Sequence, residues 1–309
     1  MSGIVNGARR TRKVSRLVRD VVITSGRAGI RGFGLATSSM RPDPDFLLIG
    51  AKRGGSTSFY YDLITHPQVA ALFPRPDRLP KAAATKGIHY FDSNYFRGYR
   101  WYASHLPSLR VRRSQQRAVG GRVITGEGSP YYLSHPAAPG RAAHDLPGVK
   151  LLAVLRDPVE RAYSHWKERV REGMEPLSFL DAIEQEPYRV GDAAERLRED
   201  PRFYSYAHEQ QSYLEQSKYG AALARWQAAF PDNSILIIRS EDYYSSPETQ
   251  LDHAAEYLGI EPGRFNSGEV RNAAPGSEMT PAMRDRLQDL LRSDARQLRD
   301  MTGITWDWV

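Results

Sequence analysis

Apolar positions along the chain fall into two kinds of run. Asp45–Gly50, Val149–Leu155 ("VKLLAVL") and Ile235–Ile238 are short and continuous, the pattern of strands buried on both faces rather than one. Val123–Thr125 adds a shorter candidate strand. Between these runs the apolar residues take helical spacing: Ser56–Thr65, stopped before Pro67, then Asp157 to about Glu172, Phe179–Ile183, Gln210–Phe230, Thr249–Leu258 and Pro281–Met301. Asp157 fits an N-cap with Pro158 at the first helical position, and Gly173 fits the end of that helix. Continuous strands separated by helices predict an α/β domain with a mainly parallel sheet covered on both faces, over residues 44–309. Residues 74–87, rich in Pro, Arg, Lys and Ala, read as a surface loop.

Composition narrows the function classes. Apolar residues make up 40% of the 309 positions and charged residues 26%, as in a globular protein. With no cysteine there is no disulfide framework, thiolate metal site or thiol nucleophile. No apolar run approaches bilayer length, no signal-peptide pattern opens the chain, and N-x-S/T sequons are absent, so a cytoplasmic protein is expected. The net charge of +7 sits in residues 1–41, which hold nine Arg/Lys and one acid. The remainder is near neutral, which argues against nucleic acid as a partner. Residues 1–43 therefore form a separate basic arm. Within it Val14, Leu17, Val18, Val21 and Val22 share one helical face, opposite Arg12, Lys13, Arg16, Arg19 and Asp20. The readings for residues 12–24 are a basic amphipathic helix on an anionic membrane surface or on a partner, a frayed arm, or a helix packed on the body of the protein.

"FLLIGAKRGGSTSFYYDLITHPQV" (46–69) carries the first chemistry. A loop leaving a parallel strand for a helix N-terminus gathers unpaired amides and the positive helix end, and Gly54 and Gly55 let the backbone approach an anion closely. Gly50 to Thr57 resembles the ATP-binding G-x-x-x-x-G-K-[ST] pattern, except that Ser56 stands at the lysine position. Positive charge precedes the glycines instead, at Lys52 and Arg53. That departure weighs against a Mg-ATP enzyme, while phosphate binding and a plain glycine turn both stay open. A second segment, "KLLAVLRDPVERAYSHW", puts Arg156 at the carboxyl end of a buried strand and Ser164 on the next helix, where an arginine fork and a hydroxyl suit a further phosphate.

Together the two segments resemble the sulfotransferases that use 3′-phosphoadenosine 5′-phosphosulfate. The glycine loop is similar to their 5′-phosphosulfate loop, and Arg156 with Ser164 to their 3′-phosphate motif. "KGIHYFDSNYFRGYRWYASHLP" (86–107), "TGEGSPYYL" (125–133) and "SKYGAALARWQAAFP" (217–231) resemble stretches of the heparan sulfate sulfotransferases and their bacterial relatives, in the same order from about residue 45 onward. The resemblance implies a P-loop-like three-layer sandwich. It also implies in-line transfer of a sulfuryl group to a hydroxyl or amine of a carbohydrate, lipid or small-molecule acceptor, with adenosine 3′,5′-bisphosphate as the other product and no metal.

Residue by residue, it implies that Lys52, Arg53, Gly54, Gly55, Ser56, Thr57 and Ser58 hold the 5′ end, and that Arg156 and Ser164 hold the 3′-phosphate. Arg53 stands where the family has a lysine at the leaving phosphate; an arginine supplies charge there but no transferable proton. The heparan sulfate enzymes carry a glutamate at the position of Gly87 and a lysine at that of Gly128. With both missing, His89 is the candidate base, Asp92 its orienting partner and Glu127 the reserve. Tyr90, Phe91, Tyr95, Phe96, Tyr99, Trp101, Tyr102, Tyr131 and Tyr132 divide between an acceptor cleft and the core. Residues 270–280 lie where relatives close the nucleotide pocket. A nucleotide-dependent kinase and a catalytically inactive nucleotide-binding adaptor remain the alternatives.

Overall fold

The computed structural model describes residues 29–74, 86–230, 235–266 and 278–309. The amphipathic helix expected over residues 12–24 and most of the late loop at 270–280 lie outside the described residues. Four strands form one sheet: β1 (Phe46–Gly50), β2 (Gly126–Gly128), β3 (Lys150–Leu155) and β4 (Ile235–Arg239), in the order β2-β1-β3-β4. Every pairing is parallel, so all four strands end at the same edge.

Burial on both faces explains why the strands carry no polar alternation. Leu47, Ile49, Leu151, Ala153 and Leu155 point to one side, while Phe46, Leu48, Leu152 and Val154 point to the other. The first side packs on α2 (Ala138–Asp145) and α6 (Tyr219–Ala229), with Trp226 fully buried. The second packs on α1 (Ser56–Leu63) and α7 (Pro247–Leu258). This is a three-layer α/β sandwich. A third apolar cluster joins α3 (Pro158–Arg171), α4 (Phe179–Val190) and α8 (Pro281–Thr302) through Tyr163, Phe179 and Leu287.

Two expectations need correction. The short strand expected at Val123–Thr125 forms three residues later; Ile124 instead makes an isolated parallel bridge to Val69. Backbone reaches β1 only where side chains vanish: a Cβ on Gly126 would lie 2.4 Å from the Phe46 carbonyl oxygen. The single helix expected over Gln210–Phe230 is divided into α5 (Tyr206–Gln210), a 3-10 turn at Glu215–Ser217, and α6. Side chains take the backbone groups that a continuous helix would use. The Glu186 carboxylate accepts from the Leu214 and Glu215 amides, both at 2.7 Å, and the Ser212 hydroxyl donates to the His208 carbonyl at 2.7 Å.

Described residues before β1 lie against the body. Arg31 donates to the Ser104 carbonyl and hydroxyl (3.0 and 2.9 Å), and Arg41 donates to the Leu106 carbonyl and stacks 4.3 Å from the Phe73 ring centre.

α3 forms as its sequence dictates. Asp157 Oδ1 accepts from the Val159 and Glu160 amides at 2.8 and 3.1 Å, Pro158 follows, and Asp157 Oδ2 accepts from Trp308 Nε1 at 2.8 Å. Asp157→Ala therefore removes a cap and orphans an indole N–H; unfolding free energy in a urea titration falls by about 1–3 kcal/mol.

Candidate active site at the carboxyl ends of the strands

The loop after β1 folds back on β3. The Ala51 amide donates to the Val154 carbonyl at 2.8 Å, and a Cβ on Gly54 would stand 2.6 Å from that same oxygen. Gly55 has φ of 91°, in the left-handed region, and α1 starts directly after it with no side chain capping its first turn. The first amides of α1 have no intrahelical partners, so they face the loop as anion donors.

Cations crowd this loop, each held by named partners. Lys52 Nζ donates to Gln210 Oε1 at 2.7 Å and to the Glu209 carbonyl at 3.2 Å, with Glu209 Oε1 at 3.5 Å. Burial lowers its ammonium to about 8, against the opposing pull of Glu209. Arg53 reaches across to α3. Its Nε and Nη2 lie 3.3 and 3.2 Å from Ser164 Oγ, and its Nη1 lies 2.7 Å from Glu168 Oε1. Burial also lowers the Arg53 guanidinium from its ordinary value, Glu168 opposing and Arg156 among the cations that add to the fall. Arg156 pairs with Glu160 at 3.4 Å and keeps 36% of its side chain exposed. Ser164 is brought to Arg53, while Arg156 is partly exposed beside Glu160. Thr57 is partly buried, and Ser58 is fully buried against Tyr244 at 3.5 Å.

On the other side of β1, residues 86–92 run past the end of β2. His89 Nδ1 lies 2.8 Å from Asp92 Oδ2, and the His89 amide donates to Ser129 Oγ at 2.9 Å. The imidazole keeps 40% of its side chain exposed while Asp92 has none. Burial pushes the imidazole down, but the Asp92 carboxylate overrides it and holds the group at about 9. Burial in turn raises Asp92, and the adjacent His89 more than cancels that, leaving the carboxyl below its ordinary value. Among the described non-glycine residues, Arg53 (φ 66°) and His89 (φ 53°) are the two with positive φ. Backbone strain thus falls on two of the candidate residues.

Glu127 is fully buried and already occupied. Its carboxylate accepts from the Ile88 amide (2.9 Å), the Ser129 hydroxyl (2.6 Å) and the Tyr132 hydroxyl (2.7 Å), which braces the 86–92 segment against β2. Burial raises its pKa against those three donors. The aromatics divide as well: Tyr90, Phe91, Tyr102, Tyr131 and Tyr132 are core, Tyr95, Tyr99 and Trp101 pack partly buried against it, and Phe96 is exposed.

The "Sulfotransferase domain" family matches residues 43–274. The chain belongs to this family. The human bifunctional heparan sulfate N-deacetylase/N-sulfotransferase 3 is 30% identical over 231 residues, covering 74% of this chain and 23% of that protein. The chain spans about a quarter of the length of the relatives so named. The membrane-associated sulfotransferase kil1 of Dictyostelium discoideum is 24% identical, covering 86% of this chain and 66% of that one. Among solved structures, a sulfotransferase from Alicyclobacillus acidocaldarius superposes with a TM-score of 0.57 at 21% identity, over 86% of this chain and 99% of that chain, and shares the P-loop-like fold. No helix among the described residues is long and apolar enough to cross a membrane.

The candidate site contains residues that the sequence pattern did not single out. Glu168 falls four residues after Ser164, on the same helical face, so spacing alone offered a signal for it. Glu209 and Gln210 are distant in sequence from Lys52 and offered none. Lys86 lies near the end of a segment read as surface loop, yet its ammonium donates to Ser56 Oγ at 2.9 Å. Space at Gly87 is also limited: a Cβ there would lie 2.6 Å from Ser129 Oγ and 2.7 Å from the Gly128 carbonyl oxygen.

The His89–Asp92 pair makes a direct forecast. In Asp92→Asn the His89 midpoint, read from imidazole proton shifts by NMR, falls from about 9 to near or below 6.5. Because the folded value is raised, the pair stabilises the fold fully below pH 6.5, and that contribution is lost as pH climbs through 9. Asp92→Asn removes this pH dependence of the denaturation midpoint.

Proposed function

We propose that the site binds 3′-phosphoadenosine 5′-phosphosulfate and transfers its sulfuryl group to a hydroxyl or amine of a carbohydrate, lipid or small-molecule acceptor. One observation carries this reading: Arg53 of the glycine loop touches Ser164 of α3 at 3.2 Å, so two anion-binding segments on adjacent strands meet across one short gap. A nucleotide with phosphate groups at both ends of its ribose fits such a pair; a triphosphate needs only one of them. The residues suit it chemically. α1 offers uncapped amides, Gly54 admits close approach, and Glu168 and Glu209 stand against the cations where anionic oxygens belong.

The donor supplies an activated sulfuryl group with a phosphate leaving group. In this reading Lys52, Arg53 and the loop from Gly54 to Ser58 hold the 5′ end, and Arg156 with Ser164 holds the 3′-phosphate. Catalysis then rests on alignment and charge stabilisation, as in phosphoryl transfer. His89 takes the acceptor proton and Asp92 orients it, with Glu127 as the brace beneath. The heparan sulfate relatives support a carbohydrate within the acceptor class. Gly87 and Gly128 replace the two groups that the resemblance assigns to polysaccharide handling, so heparan sulfate itself is outside the proposal.

Calorimetric titration tests donor binding. Adenosine 3′,5′-bisphosphate binds the wild type with micromolar affinity, and Arg156→Ala weakens it at least about tenfold, the loss of one charge-assisted phosphate contact. Tighter binding of ATP-Mg, with no preference for the 3′-phosphate, overturns the reading in favour of a kinase. With an acceptor found by labelled-donor screening, log kcat/KM rises with pH toward about 9, because only the neutral imidazole accepts a proton. His89→Ala lowers the rate by about 10²–10⁴-fold and flattens that profile.

A further inference from the structure

The glycine loop lacks the lysine of the ATP-binding pattern, and Ser56 occupies its position. Space returns what the local sequence omits. Lys86 Nζ donates to Ser56 Oγ at 2.9 Å, while the Ser56 hydroxyl donates onward to the Ala51 carbonyl at 3.3 Å. The ammonium therefore lies at the first residue of α1, beside the uncapped amides.

Its backbone is fixed from both sides. The Gly128 amide donates to the Lys86 carbonyl at 2.8 Å, and two residues on, the Ile88 amide donates to Glu127 at 2.9 Å. Lys52 and Arg53 each have a carboxylate within ion-pair distance, Glu209 and Glu168. Lys86 makes no ion pair among the described residues, although Glu127 lies close enough to oppose the effect of its burial, which brings the ammonium down to about 7. A partly buried cation whose one polar side-chain contact is a neutral hydroxyl is short of counter-charge, and an anion on the first turn of α1 supplies it.

We propose that Lys86 is a catalytic residue of the sulfuryl transfer, contacting the donor's 5′-phosphosulfate from the position that the missing loop lysine would serve. The inference rests on the donor reading above. In the step, the sulfur–oxygen bond to the acceptor forms as the bond between sulfur and the bridging oxygen breaks. The electron pair of that bond stays on the 5′-phosphate and the acceptor proton passes to His89. The ammonium donates a hydrogen bond to the oxygen that gains charge, and it has a transferable proton where Arg53 has none. Arg53 is already engaged by Ser164 and Glu168, whereas the Lys86 ammonium has, among the described residues, only the Ser56 hydroxyl.

Paired ligands separate this role from a structural one. Calorimetry on wild type, Lys86→Met and Lys86→Arg compares adenosine 3′,5′-bisphosphate with adenosine 3′-monophosphate, which lacks the 5′ group. Lys86→Met weakens the bisphosphate by about ten- to a hundredfold and leaves the monophosphate unchanged, while Lys86→Arg restores most of the loss. Release of bisphosphate from the phosphosulfate donor, with water as acceptor, falls in Lys86→Met by more than donor affinity does. Unchanged bisphosphate binding in a variant with wild-type thermal stability overturns the proposal. So does an equal loss for both ligands, or turnover that falls only in proportion to affinity. A wild type that binds no bisphosphate overturns the donor reading itself, an outcome distinct from any of these.

Discussion

The site depends on the closeness of the 51–55 loop to β3. One carbonyl, that of Val154, receives the Ala51 amide and leaves no room for a side chain at Gly54. That contact folds the loop back over the sheet edge and sets where α1 starts, and so where its unpaired amides point. The parallel sheet completes the arrangement. Because all four strands end at one edge, the segments after β1, β2 and β3 converge without long excursions, as ligand sites in open α/β sheets do.

Electrostatics is the second constraint. The loop brings Lys52 and Arg53 out of bulk water, the segment beside β2 adds Lys86, and α3 adds the fully buried Arg161. Such a cluster repels itself and is costly to desolvate, so the fold counters it with Glu168, Glu209 and hydroxyl or amide oxygens. These partners hold the cations aimed at the loop. In the proposed reading an anionic ligand exchanges with these carboxylates at little reorganisation, the condition for electrostatic catalysis in a partly desolvated site. The imidazole of His89, charged by Asp92 near neutrality, belongs to the same balance of charge.

Much of this was legible in the chain. Continuous apolar runs gave three of the four strands to within a residue or so, because full burial leaves an unambiguous pattern. Asp157-Pro158 marked the start of α3 through cap chemistry that acts within a few residues. What escaped was non-local. β2 consists of Gly-Glu-Gly, chosen for lack of bulk beside Phe46 rather than for strand propensity. The break between α5 and α6 is imposed by Glu186, more than twenty residues upstream. In the site, the glycine loop, Ser164 and the His89–Asp92 spacing were visible as local motifs. Lys86 was not, since its meaning comes from Ser56, thirty residues away in the chain.

A crystal structure of the protein with adenosine 3′,5′-bisphosphate tests the central claim most directly. The account predicts the 5′-phosphate within hydrogen-bonding distance of the amides of residues 54–58, and the 3′-phosphate on Ser164 and Arg156. A bisphosphate bound elsewhere, or bound in this gap with its 3′-phosphate in solvent, would contradict it.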